Sequence, residues 1–379
     1  HNVGPDEIQE SVLRFGTGAN RGKQNVTWDV IPPKKDSNQH HQNYQVKIPV
    51  DAAVGRYSVE VVVPKVSSHP LKQTGQIIVL FNPWNKDDDV YLAEEELRKE
   101  YVLSDDGLVY AGWSRRFVPH PAHWNFGQFE SNILDCVLYL LENDRRMKKP
   151  LKSLYMRSSA VWVARILSAM INSQDENGVL EGNWSGNYED GESPTFWNGS
   201  VKILQKFYET KKPVKYGQCW VFSGVMTTAL RAIGIPARSV TNYDSAHDTD
   251  NTMTIDKFID EEGEMVDGLN RDSIWNFHVW NEIWTKRGDL PGSKYDGWQA
   301  VDATPQEESS QIYQMGPAPV NAVKEGEVYA GFDTGFVFSE VNADCVTWVV
   351  KKDESEEYVL QRMKKQLTDK VGSYISTKR

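Results

Sequence analysis

Cys219 stands in the stretch VKYGQCWVFSGVMTTALRAIGIP, residues 214 to 236. Phe222, Val225, Met226, Ala229 and Ile233 recur after it at helical spacing, and Gly234 and Pro236 break the pattern, which predicts a buried helix with Cys219 at its N-terminus. A cysteine in apolar company is most often a small core residue. Position changes that reading, because the unpaired N–H groups and the positive dipole end of a helix favour a thiolate, the nucleophilic form of the side chain. Gly217 permits a sharp approach turn. A thiolate nucleophile also needs a base to carry protons and a group to orient the base. WNFHVWNEIW alternates so that His278 shares a strand face with Trp280, Glu282 and Trp284, opposite Phe277, Val279 and Ile283. In DGWQAVDATP, Asp302 shares a face with Trp298 and Ala300 just before a Thr-Pro break.

A cysteine on a helix N-terminus followed by a histidine and a carboxylate on successive strands is the order used by papain-like thiol enzymes. The other two cysteines read as packing residues: Cys136 lies in SNILDCVLYLL, a helix with an apolar face, and Cys345 lies beside a strand. Three cysteines in 379 residues make no disulfide framework, so free thiols in a reducing, cytoplasmic compartment are expected, with release to the extracellular space left open.

Elements able to hold these residues can be read from periodicity. YQVKIPV places Tyr44, Val46, Ile48 and Val50 on one face, GRYSVEVVV does the same with Tyr57, Val59, Val61 and Val63, and QIIVLF adds a third run. Residues 1–85 therefore read as an all-β, immunoglobulin-like antiparallel sandwich. The acidic run KDDDVYLAEEELRKE, residues 86–100, has no apolar face wide enough for a core and reads as a linker or solvated surface. From residue 101 to 379 helical spacing appears (Ile133, Val137, Leu138 and Leu141, then VWVARILSAMI) between strands, so the fold class is α+β, a papain-like catalytic core behind the sandwich.

Composition excludes more than it assigns. A formal charge of −11, from 42 basic and 53 acidic residues, argues against a nucleic-acid or anionic-membrane surface and suits cation binding. No apolar segment is long enough to span a membrane. No CxxC pair or HExxH spacing suggests zinc, and no glycine-rich phosphate loop comes after a strand.

The strings YGQCWVF, TNYDSAHD, WNFHVWNE, GWQAVDATPQE and VNADCVTW resemble the animal-type transglutaminases, the protein-glutamine γ-glutamyltransferases, from about residue 100 to the end. The resemblance implies Cys219 as nucleophile, His278 as base and Asp302 as orienting acid. It implies acyl transfer from glutamine-bearing proteins to lysine-bearing proteins or primary amines, through a thioester and with loss of ammonia. It implies the indole N–H of Trp184, in GNWSGNYEDG, as an oxyanion donor beside the Cys219 N–H, and Trp275 as a wall of the acyl-acceptor channel. It also implies that the family's last core segment and two C-terminal barrels lie beyond Arg379.

Calcium takes clustered side-chain and backbone oxygens in loops, often at alternate positions. HDTDNTMTID offers Asp248, Asp250, Thr252 and Thr254 in that pattern, and the resemblance adds Asp272. By resemblance a second calcium loop comprises Asn172, Gln174, Glu176 and the Ala169 carbonyl, and a third comprises Asn342 and Asp344, with partner glutamates beyond Arg379. Gln174 and Glu176 stand where some relatives carry Asn and Asp. Two further readings compete with the transferase. One is a cysteine hydrolase or deamidase with the same geometry; the other is a catalytically silent membrane-skeleton relative, which the intact Cys219, His278 and Asp302 argue against.

Overall fold

The structure is a computed structural model, and it describes residues 28–31, 45–63, 71–112 and 121–377. Antiparallel strands come first. Asp29–Ile31 pairs with Gln45–Lys47, and Gly55–Val63 pairs with Leu71–Val79. Of the first apolar run, Tyr44 lies outside the described residues. Ile48 and Val50 fall beyond the strand and are each 40% exposed, which corrects the expectation that they share one strand face with Val46. Pro49 between them cannot donate to a ladder, so pairing stops at Lys47. The second pair is tied to the α+β core. Val54 N donates to Arg157 O, Phe81 N donates to Ile233 O, and Val54 and Phe81 join the main hydrophobic cluster. Gly234, at φ +87°, brings the end of the Cys219 helix so close to the Phe81 carbonyl that a Cβ would clash with it.

The acidic run is not a free linker. Val90 and Leu92 are buried, Trp284 Nε1 donates to Tyr91 O at 2.9 Å, and Lys286 N donates to Asp89 O at 2.8 Å. Its acids serve as turn acceptors: Asp88 receives the backbone N–H groups of Asn82 and Val90, and its burial raises the carboxyl's pKa. The run ends in one α-helical turn, Glu95–Arg98, and a π-helical turn, Lys99–Leu103, whose Tyr101 ring meets Trp298 edge-on at 4.9 Å.

The α+β core is built around the Cys219–Ala232 helix, all but one of whose residues are buried. The helix packs on one side against the five-stranded sheet and on the other against helices Ile133–Asn143 and Ala160–Ile171. That sheet is antiparallel throughout, in the order Met315–Pro319, Gly297–Asp302, Ser273–Thr285, Ala237–His247, Tyr374–Ser376. A three-stranded sheet stands beside it, with Thr254–Ile259 parallel to Asp344–Lys352 and Tyr358–Leu367 antiparallel on the far edge. Buried polar groups fasten helix to sheet. Asn281 Nδ2 donates to Ser223 O and Thr227 Oγ1, and Ser223 Oγ donates to the Trp280 carbonyl. Such bonds, once formed in a dry interior, are costly to leave unmade and so fix the helix along the strand.

Gly224 lets this helix pass the Trp124 ring, whose Nε1 is held by Ser200 Oγ at 2.9 Å. A methyl at 224 would enter that ring's van der Waals space. Gly224→Ala should therefore lose about 3 kcal/mol to overpacking and regain about 1 kcal/mol of helix propensity. Urea unfolding would then shift toward lower midpoint by a net of about 2 kcal/mol; an unchanged midpoint would show that Trp124 moves aside freely.

Candidate active site

Cys219 opens its helix with Gln218 as the extended N-cap residue, and no side chain caps the first turn. Val221 and Phe222 N–H groups reach the Gln218 carbonyl, which leaves the Cys219 and Trp220 N–H groups as the unpaired donors at the positive helix end. Cys219 itself is buried.

His278 and Asp302 meet through sheet register. Asn281 pairs with Val301, so the two side chains project from the same face, diagonally across neighbouring strands. His278 Nε2 lies 2.6 Å from Asp302 Oδ2, and both residues are almost fully buried. Burial disfavours the charged ring, but the Asp302 carboxylate, with hydrogen bonding to Asp302 and Cys219 and the charge of Glu340, outweighs it and holds the imidazole's pKa well above its ordinary value. The carboxylate fixes the Nε2–H tautomer. Nδ1 is buried and meets no full hydrogen-bond geometry among the described residues, while the Cys219 side chain acts on the ring as a looser hydrogen-bonding neighbour. Asp302 is anchored in turn by the Thr304 N–H on Oδ1 at 2.8 Å and by the Ser168 hydroxyl on its carbonyl.

Two residues in this site escape sequence reasoning. Glu340 is fully buried 3.7 Å from His278 Nε2, and burial, reinforced by Asp302 and opposed by His278, pushes its carboxyl up to about 7. Gln306 lies between the two acids, with Nε2 at 3.1 Å from Asp302 Oδ2 and 2.9 Å from Glu340 Oε1. Neither residue belongs to a periodic pattern; Gln306 falls in the string GWQAVDATPQE, but only spatial proximity shows what it bonds.

Trp184 and Trp275 converge at the mouth. The Trp184 ring, 45% exposed, stacks over Phe222 at 6.5 Å and 10°, and lies 6.3 Å from the Trp275 ring. Gly182 leaves room for the indole, since a Cβ there would touch it. The loop carrying Trp184 is pinned beside Cys219: Asn183 N donates to Gly217 O at 3.1 Å, and Gln218 Nε2 donates to Asn183 O at 2.9 Å. Trp275 stands edge-on to His278 at 5.5 Å, and its Nε1 donates to Ser273 Oγ.

Of the cation candidates, the structure gathers Asp248, Asp250 and Asp272, whose carboxylate oxygens lie within 4.8 Å of one another. Burial raises the Asp248 carboxyl, and its hydrogen bond with Asp250 acts in the same direction, against donors from Met253 N, Ser339 Oγ and Thr252 N. Carboxylates this close repel unless they share a proton or a cation, so the donor set fits a hard cation. Thr252 and Thr254 are placed differently from the expectation. Their hydroxyls lie 3.0 Å apart and turn to Asp256 Oδ2, at 3.4 and 2.8 Å. Asp256 continues the alternation by one more step, a signal the sequence did contain.

The second loop is occupied by protein partners. Asn172 is buried and donates to the Ser168 and Tyr313 carbonyls, Glu176 pairs with Arg145 at 2.9 Å, Ala169 lies inside the Ala160–Ile171 helix, and Gln174 is exposed. In the third, Asn342 is exposed at the end of helix Thr334–Asn342, and Asp344, at the start of the next strand, accepts Gln366 Nε2 at 2.7 Å.

Thiol selectivity is a consequence of this placement. Burial pushes the Cys136 thiol up to about 12, and burial raises Cys345 as well. Iodoacetamide at neutral pH should therefore label Cys219 first, read by peptide mass spectrometry, and His278→Gln should slow that labelling alone. Preferential labelling of Cys136 or Cys345 would sink the assignment.

Residues 183–303 match the family model described as the transglutaminase-like superfamily. Human protein-glutamine gamma-glutamyltransferase 4 is 44% identical over 379 residues, covering 97% of this chain and 53% of that protein. Human protein-glutamine gamma-glutamyltransferase 6 is 46% identical over 332 residues, covering 87% of this chain and 46% of that protein. The crystal structure of red sea bream transglutaminase superposes with a TM-score of 0.79 at 37% identity, over 97% of this chain and 54% of that one. The chain thus spans about half the length of the relatives it matches. It shares the transglutaminase fold along nearly its whole length, and residues 183–303, which enclose Cys219, His278 and Asp302, match a transglutaminase-like domain.

Proposed function

We propose that this chain carries a calcium-dependent protein-glutamine γ-glutamyltransferase activity. The observation that carries the reading is one geometry: a helix-terminal Cys219 beside a buried imidazole whose Nε2 is held 2.6 Å from Asp302 and whose Nδ1 has no other partner. In the first half-reaction the Cys219 thiolate attacks the side-chain amide carbon of a protein glutamine. His278 gives its proton to the leaving nitrogen, ammonia departs, and a thioester remains on Cys219. In the second half a lysine ε-amine attacks the thioester, His278 takes the amine's proton, and the isopeptide bond forms as the Cys219 sulfur leaves. The oxyanion of each tetrahedral intermediate would be met by the Cys219 N–H and the Trp184 indole N–H.

The second half separates a transferase from a hydrolase of the same geometry. Water in place of the amine gives deamidation. The paired indoles of Trp184 and Trp275 at the mouth favour an extended alkylamine sliding between apolar walls over bulk water. Among the described residues no helix is long and apolar enough to cross a membrane. Calcium would be held by Asp248, Asp250 and Asp272, with Asp256 and the two threonines adjoining. When bound it supplies positive charge that relieves the repulsion among the acids and orders the loop leading into the His278 strand.

Incorporation of a fluorescent primary amine into a glutamine-rich protein, with and without calcium, tests the reading. Cys219→Ala should abolish it. His278→Gln should cost on the order of 10²–10⁴-fold, the span of general acid–base catalysis, and Asp302→Asn should cost less, because an amide oxygen still accepts the ring N–H. Equal losses would overturn that division of roles. Asp248→Ala with Asp250→Ala should require much more calcium while Cys219 stays alkylatable; an unchanged calcium titration would make HDTDNTMTID a solvated loop.

A further inference from the structure

The His278 ring faces two buried carboxyl groups, and a buried acid needs a donor or a countercharge. One ring cannot serve both, because its Nε2–H is committed to Asp302 at 2.6 Å. The missing donors come from one side chain. Gln306 Nε2 lies 3.1 Å from Asp302 Oδ2, 2.9 Å from Glu340 Oε1 and 3.0 Å from His278 Nε2. An amide nitrogen has two hydrogens, and a protonated Nε2 cannot accept a third bond, so the two N–H groups go to the two acids. The side chain therefore stands between Asp302 and Glu340 as a neutral double donor.

We propose that Gln306 is a positioning residue for the proposed acyl transfer: by donating one N–H to Asp302 and the other to Glu340, it holds both carboxyl groups in register with His278, so that Nε2–H is gripped and Nδ1 is aimed at Cys219. The proposal rests on that functional reading only for the identity of the acyl acceptor. Without the amide the acids would face each other across the imidazole edge, and the ring would be free to move with whichever carboxylate shifted. Glu340 Oε2 is itself buried and, among the described residues, has no hydrogen-bond partner, so Gln306 supplies the hydrogen bond that this carboxyl group has.

The test uses the full 379-residue chain, with alkylation of Cys219 by iodoacetamide and steady-state hydrolysis of p-nitrophenyl acetate, a small acyl donor, as readouts beside amine incorporation. Gln306→Ala should lower kcat for the ester and the alkylation rate by about 10- to 100-fold, the cost of ångström-scale misplacement, with KM within about twofold and thermal unfolding retained. Gln306→Glu keeps the side chain's size, replaces its donor by an acceptor, and should lose at least as much; it carries the comparison if Gln306→Ala does not fold. The double variant Gln306→Ala, Glu340→Gln should recover part of the loss, since one carboxylate is left and the introduced amide can donate to it. Three results would overturn the proposal: kcat and alkylation within about twofold of the parent in Gln306→Glu, a loss confined to KM, or single-variant losses that simply multiply in the double variant. If the parent chain alkylates and hydrolyses the ester but incorporates no amine, the transferase reading fails and the Gln306 comparison still stands.

Discussion

The hydrogen bond between His278 and Asp302 constrains most of its surroundings. Both partners are almost fully buried, where charge is costly and every acceptor needs a donor. The surrounding chain meets that demand in layers. Asp302 is held by the Thr304 N–H and by the Ser168 hydroxyl reaching from the neighbouring helix, Gln306 covers its second acceptor position, and the Trp275 edge closes the solvent side of the ring.

Positioning the sulfur is a separate problem, solved by a different device. A helix can slide along a sheet if only apolar surfaces meet, and here the contact is polar at its centre. Ser223 and Thr227 on the Cys219 helix, Ser239 on one strand and Asn281 on the His278 strand form a linked set of buried hydrogen bonds. Their directionality fixes the axial position of Cys219 relative to His278, which apolar packing alone would leave loose.

One short helix, Thr334–Asn342, supports both the imidazole and the acidic loop. Its Ser339 hydroxyl donates to Asp248 Oδ2 at 2.9 Å, and the next residue, Glu340, accepts from Gln306 at 2.9 Å. Asp272 reaches the same region from the start of the His278 strand, taking the Thr249 hydroxyl and the Asp256 N–H. The acid cluster and the His278 ring therefore share one helix as a support.

Local periodicity was enough to read the Cys219 helix with its stop at Gly234, the strands bearing His278 and Asp302, and the antiparallel alternation of Tyr57 and Val59. Those patterns are set by 3.6- and 2-residue repeats that each element carries by itself. The long motifs around the three residues made the family legible as well. What tertiary structure decided is every pairing between distant, non-periodic polar residues. It brought Glu340 and Gln306 to the imidazole, gave the Thr252 and Thr254 hydroxyls to Asp256 rather than to the acid cluster, engaged Glu176 with Arg145, and packed Val90 and Leu92 of an acidic run that looks solvated in sequence. The physical reason is common to all of them. A buried polar group is satisfied by whatever partner the fold brings within 3 Å or so, and that partner has no fixed separation along the chain, so the sequence names the groups in need of partners while the packed structure alone assigns them.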